Sequence, residues 1–342
     1  MKRTTLAILG CLASVVTLGV ETASAGPILD GIRQRGAIRC GVMNPLPAWN
    51  YADEKGEWQG FNADVCRSLA AAVFGDPSKA QITTTTPAVR LTALQTGELD
   101  VLVANVTETV TRDTELGLTF APVTFYDGQG IMVKKALNVG SVKDLDGATI
   151  CVQPGTTTEL NLADYFRTNG MKFQAVVIEN QAETRRAYNE GRCDALTDDR
   201  TTLASERLAQ SNPDDHLILP EALSKEPLAP VVRQGDDQWA DIVRWTIYAL
   251  IEADELGIKK ENVESTATSS QDPRVLRFLG ATPGLGKALG LDEKWAVNVI
   301  KGVGNYGEIY DRNLGDQSEM KLPRGDNDVW TRGGLLYARA FR

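Results

Sequence analysis

Thr107, Thr109 and Thr111 lead into Arg112, directly after the apolar run Val101-Leu102-Val103 and Asn105. Hydroxyls and exposed backbone N–H groups in such a place can donate hydrogen bonds to an anion. A guanidinium adds a planar fork that matches a carboxylate. A plainer account covers the same residues: Thr107 caps a helix and Arg112 pairs with a surface acid. The stretch "VQPGTTTEL" shifts the balance, because Gly155, Thr156, Thr157 and Thr158 again follow a strand-like run. Thr156 and Glu159 make a capping-box pattern, so a helix begins there, and a helix start is itself an anion seat. "CDALTDDR" then ends a strand in Asp198 and Asp199. At a strand end facing the same cleft a carboxylate would pair with an ammonium group; solvated loop charges are the alternative for at least one of the two. Taken together, the three stretches offer partners for both ends of a zwitterion.

Elements must bring these stretches together. Strands and helices alternate, which predicts α/β layers with largely parallel sheets. Ligands of open α/β sheets sit beyond the carboxyl ends of the strands, where all three stretches fall. Strands are expected at 37–42, 82–86 and 99–103, with helices between, the first capped by Asn62. A matching order follows, with strands at 149–152, 173–178 and 194–197 and helices at 158–166 and 182–189. "LQTGELDVLVANVTETVTRD" and "YNEGRCDALTDDRTTLASE" share a helix end, Gly-x-x-Asp, a short strand and a polar lead into a helix. This order predicts two lobes of similar design. "FYDGQGIMVKK" and "EPLAPVVRQGDD" read as two extended crossings between them, hence a hinge, before an amphipathic helix at 238–256. Lobe one is expected at 26–131 and 231–342, with additional C-terminal helices, and lobe two at 132–230. "GLGKALG" has the wrong spacing for a dinucleotide loop.

Lys2 and Arg3, an apolar Leu6–Val20 and Ala23-Ser24-Ala25 have the form of a cleaved export signal, residues 1–25. Cys11 fits a lipoprotein site poorly, since Ile8-Leu9-Gly10 precedes it early in the apolar run. The signal carries +1 (Lys2, Arg3, Glu21), so its removal takes the formal charge from −9 to −10. That balance argues against a nucleic-acid partner. Cys40, Cys66, Cys151 and Cys193 remain, an even number suited to disulfides, with three possible connectivities. Their grouping favours Cys40–Cys66 and Cys151–Cys193. Their spacing does not suggest zinc, and the lone His216 makes a zinc site less expected, so no metal or cofactor is expected.

Across the mature length the chain resembles the periplasmic solute-binding proteins of polar amino-acid ABC importers, in their general L-amino-acid-binding branch. The resemblance lies in "IRCGV", "GEWQGFNADVCRSLAAAVFGD", "RLTALQTGELDVLVANVTETVTRDTELGLTFAPVTFYDGQGIMV", "VQPGTTTELNLADYF" and "GRCDALTDDRTTLA". It implies a two-lobed type II periplasmic binding fold, each lobe a largely parallel sheet flanked by helices, with two hinge strands. It implies capture of an amino acid by hinge closure, delivery to an inner-membrane permease, a periplasmic location and a monomer. Arg112 would clamp the ligand carboxylate with Thr107 and the backbone near Asn105. Thr156 and Thr157 would close on it, Asp199 would hold the ammonium, and Trp49 would offer an aromatic wall.

Three positions depart from that branch: Glu108 where tryptophan is usual, Ala104 where arginine is usual, and Asp198 where threonine is common. Losing an aromatic and a cation while gaining two acids makes the side-chain pocket more negative and points to a cationic or hydrogen-bond-donating ligand. Two rivals share the fold. One is an exported dehydratase-like enzyme with Glu108 as general acid, although no nucleophile–base pair is visible. The other is a sensor that presents its ligand to a signalling partner.

Overall fold

The computed structural model describes residues 26–342. The export-signal expectation concerns residues 1–25, which lie outside the described residues. After helix α1 (Pro27–Arg35), β1 (Ile38–Met43) enters the first core. A small hairpin, β2 (Tyr51–Ala52) and β3 (Trp58–Gln59), precedes α2 (Phe61–Phe74). Then come β4 (Ala80–Thr85), α3 (Arg90–Gln95), the short β5 (Val101–Leu102), α4 (Val110–Thr114) and β6 (Leu118–Phe120). The chain crosses on β7 (Phe125–Asp127) and continues into β8 (Gln129–Lys134).

Beyond the crossing lie β9 (Thr149–Val152), α5 (Thr157–Thr168), β10 (Gln174–Val177), α6 (Gln181–Asn189), β11 (Ala195–Asp199), α7 (Arg200–Leu208) and β12 (His216–Ile218). The return runs on β13 (Glu226–Leu228) to β14 (Val231–Arg233) and the long α8 (Asp237–Glu255). Five further helices, α9–α13, lie between Val263 and Asn313.

The two main sheets have matching orders, β4-β1-β5-β14-β6 and β10-β9-β11-β8-β12. In each, three neighbouring strands are parallel, and the strand arriving from the crossover, β14 or β8, runs against both its neighbours. The antiparallel member is thus what an exchanged connection leaves in an otherwise parallel sheet. β7 and β13 pair antiparallel between the sheets, Glu226 opposite Asp127 and Leu228 opposite Phe125. All of β8 belongs to the second sheet.

Asn62 does not cap α2. Gly60 stands at that position with φ 113°. A Cβ there would meet the Trp49 carbonyl carbon at 2.4 Å, so only glycine admits the approach. The first N–H groups of α2 are instead satisfied by distant backbone: Phe61 donates to Ala48 O and Asn62 to Trp49 O, each at 2.9 Å. α12 (Trp295–Val303) and α13 (Tyr306–Asn313) pack on α2 and α8, sharing one apolar core with the first sheet. The Tyr306 hydroxyl donates to Thr124 O at 2.8 Å, and Arg312 and Asn313 both donate to Asp64. The second sheet rests on two smaller apolar clusters, one around Ile131, Leu162 and Phe166, the other around Met132, Tyr188 and Leu203.

Both expected disulfides form. Cys40 on β1 joins Cys66 on α2, and Cys151 on β9 joins Cys193 just before β11, with Cα separations of 6.0 and 5.6 Å. Each ties a strand to a neighbour in its own core.

Candidate functional site

One small cavity between the sheets is lined by residues of all three sequence stretches: Asn105 and Thr107, Thr156 to Thr158, and Asp198 with Asp199. Met43, Pro87, Arg90 and Gln153 complete it. Asn105 turns the chain at the end of β5 with φ 49°, a left-handed conformation that asparagine tolerates better than most residues. The two sides touch directly. Arg112 Nη2 reaches Gly155 O at 3.4 Å, and the Thr107 and Thr157 hydroxyls are 3.2 Å apart. Gly155, at φ 73°, lies 3.4 Å from Ala88 Cα by its virtual Cβ, so this rim is built for close approach. Thr86 donates to Glu179 and Ser205 to Pro47 O across the same gap.

Arg112 is buried in the short helix α4, whose cap is Thr109, not Thr107. Its guanidinium donates to Thr107 O at 3.0 Å and to Gly155 O, both neutral carbonyls. Burial lowers its pKa, and the charges of Glu226 and Asp199 offset part of that. Among the described residues it makes no ion pair, so its charge remains available to an anion. Opposite stands α5. Thr156 caps it by accepting from Glu159 N at 3.1 Å, while Glu159 reaches back to Gly155 N. Thr156 spends its own proton on Gln153 O. The N–H groups of Thr157 and Thr158, in the first helical turn, have no intrahelical acceptor.

Both aspartates line the cavity, Asp199 buried and Asp198 half-buried. β11 extends through them, two residues further than expected. The Asp199 side chain accepts no hydrogen bond among the described residues. Asp198 accepts from Asp199 N at 2.8 Å and is backed by Gln181, which also donates to buried Glu206. Burial raises the Asp198 pKa to about 7 and that of Asp127, on the hinge strand, to about 6. Asp199 is pushed well above its usual value by burial, with Asp127, Asp198 and Glu226 adding repulsion.

Asp198 and Asp127 bind more protons folded than unfolded between about pH 4 and 7. Their stabilising contribution is therefore complete below their ordinary value of 3.8 and fades as pH rises through 6 and 7. The melting temperature should fall between pH 5.5 and pH 8, and Asp198→Asn should flatten that fall. A wild-type profile identical to that of the variant would show that the carboxyls do not titrate this way.

Other expected residues are placed differently. Glu108 is exposed and turned away from the cavity, because Thr107 pairs with Leu228 and faces inward, and its neighbour on extended chain faces out. Trp49 is 1% exposed and packs edge-on against Phe61 and Phe125. It reaches only an adjoining apolar hollow beside Ala104 and Asn105. The Thr107 and Thr157 hydroxyls are already committed, both donating to Glu226 Oε2.

Arg90 was not foreseen. It is 5% exposed, donates to Ala104 O at 2.6 Å and leaves Nε without a partner. Burial and Arg112 lower its pKa to about 9. Its signal was present in the sequence, since Arg90 shares the buried face of α3 with Leu94. Although Ala104 supplies no cation, Arg90 brings one to its carbonyl. A larger open groove near Tyr51, Leu208 and Met320 offers no free cation among its lining residues, because its Arg312 is bonded to Asp64 and Val303 O.

Fold and cavity together are those of a two-lobed solute receptor. Residues 38–261 match the model of the bacterial extracellular solute-binding proteins, family 3, and the chain belongs to that family. It is 53% identical over 332 residues, 96% of this chain and 97% of the relative, to the general L-amino acid-binding periplasmic protein AapJ of Rhizobium johnstonii. It is 49% identical over 323 residues, 94% and 96% of the two chains, to the glutamate/glutamine/aspartate/asparagine-binding protein BztA of Rhodobacter capsulatus. A solved periplasmic binding protein of Brucella ovis with glutathione bound superposes with TM-score 0.89 at 50% identity, covering 92% of this chain and 99% of that one. The chain is thus a type II periplasmic binding protein and not an enzyme; nothing supports the dehydratase-like rival.

Proposed function

We propose that the chain captures an α-amino acid, or a molecule with the same zwitterionic head, between its lobes and delivers it to the permease of an ABC importer. The observation that carries this reading is the buried Arg112 guanidinium, bonded among the described residues only to the carbonyls of Thr107 and Gly155, beside a cavity that Thr107, the α5 start, Arg90 and Asp199 line. Arg112 and the N–H groups of Thr157 and Thr158 take the carboxylate, and Asp199 takes the ammonium. Thr107, Thr156 and Thr157 contribute backbone and shape, because their hydroxyl protons are spent elsewhere. Ligand favours closure because it contacts the second lobe better when closed. The names of the relatives support an amino-acid ligand and an importer partner. In this reading the protein is a periplasmic monomer cleaved near Ala25, with lobes at 26–124 plus 229–342 and at 128–225, joined by the hinge strands β7 and β13.

Asp198 sets the preference. With Gln181 and Glu206 behind it, it adds negative charge beside the ammonium seat and favours side chains that are cationic or donate hydrogen bonds. Melting shifts across an amino-acid panel test this. Arginine, lysine, ornithine or amide side chains should stabilise more than glutamate. Stabilisation by glutamate alone would end the reading.

A further inference from the structure

Glu226 lies on the hinge strand β13, is 1% exposed, and has four side-chain donors. Its Oε2 accepts from Thr107 of the first lobe at 2.5 Å and from Thr157 of the second at 2.9 Å. Its Oε1 accepts from Asn161 of α5 at 2.9 Å and from nearby Ser224. A carboxylate offers about four lone-pair sites, so these donors complete its shell. No cation pairs with it among the described residues, although Arg112 lies close enough for the two charges to interact. A buried charge without an ion pair depends on its hydrogen bonds. Two of the four, from Thr157 and Asn161, come from α5 of the second lobe and are lost if that helix swings away from the hinge strand.

From this placement we propose that Glu226 is an interlobe latch: a hinge-borne carboxylate that draws Thr107 and Thr157 onto one oxygen and so favours closure before any ligand contributes. The proposal rests on the reading of this cleft as the site that closes, and it assigns Glu226 a positioning role with no contact to ligand. A prepopulated closed form lowers the cost of conformational selection, so the latch raises apparent affinity for every ligand alike. Specificity remains with Asp198 and Asp199. The latch also explains why the Thr107 and Thr157 hydroxyl protons are taken by Glu226.

The test needs no ligand. A donor–acceptor fluorophore pair at exposed Lys55 and Lys172, one in each lobe, reports the ratio of closed to open molecules in the full chain without added amino acid. Glu226→Ala and Thr157→Val should each lower that ratio about tenfold, the equivalent of one hydrogen bond to a charged group. Ser224→Ala, which removes a bond within the hinge segment, should leave it unchanged. An unchanged ratio in Glu226→Ala would overturn the latch. So would a shift in Glu226→Ala that Thr157→Val fails to reproduce, since that pattern reports local collapse of the hinge. Failure of every amino acid to stabilise the wild type would remove the ligand reading while leaving this measurement standing.

Discussion

Arg112→Ala should weaken amino-acid capture by about 2–5 kcal/mol, roughly 30-fold to several-thousand-fold, with little loss of stability in the ligand-free protein. The expectation follows from the cost the folded chain already bears. Arg112 is 8% exposed, its charge is disfavoured by burial, and its only acceptors among the described residues are the carbonyls of Thr107 and Gly155. An incoming carboxylate meets a desolvated fork whose orientation those carbonyls fix. Without the guanidinium that carboxylate is buried with only helix N–H groups as partners. Arg112→Lys should recover part of the loss, because an ammonium restores charge but not the paired geometry. Titration calorimetry, with an amino acid that stabilises the wild type, reads the effect. Binding of the alanine variant within threefold of wild type would place the carboxylate elsewhere.

Removing the Cys151–Cys193 bridge by double substitution to alanine should cost about 4 kcal/mol by the chain-entropy relation, given the separation of 42 residues. The second lobe is the more exposed to this loss. Its apolar interior is split between two small clusters, whereas the first lobe shares a larger core with α8 and the C-terminal helices. Denaturant unfolding followed by hydrogen exchange should therefore show the second lobe opening first, at lower denaturant than in the wild type. The Cys40–Cys66 bridge closes a shorter loop of separation 26, beside the larger core, and its loss should leave cooperative unfolding intact. If the two double variants unfold alike, the size of the local core does not govern the response.

Local rules made the strands and most helices legible. β-Branched runs marked β4 and β9, and the repeated Gly-x-x-Asp marked the turns before β5 and β11. The crossings were readable because extended runs interrupted the helix–strand rhythm. What stayed hidden depends on partners far along the chain. Asn62 has a capping residue's chemistry, but its amide is spent on Asn50 and Asn105, and the helix start is sealed by the Ala48 and Trp49 carbonyls. Glu108 was placed in the pocket by its position in the family pattern, yet it is exposed beside inward-facing Thr107. Trp49 had the right neighbourhood, but Phe61 and Phe125 draw it into the core. Glu226 sits 119 residues from Thr107 in sequence, and only the folded hinge brings them together. Arg90 was within reach of the periodicity, since a cation on an apolar helix face has to be accounted for.

Neither sulfur bridge spans the β7–β13 ribbon. Oxidation can therefore harden each half of the molecule without restraining the swing between them. The receptor gains its rigidity inside the jaws and keeps its freedom at the pivot.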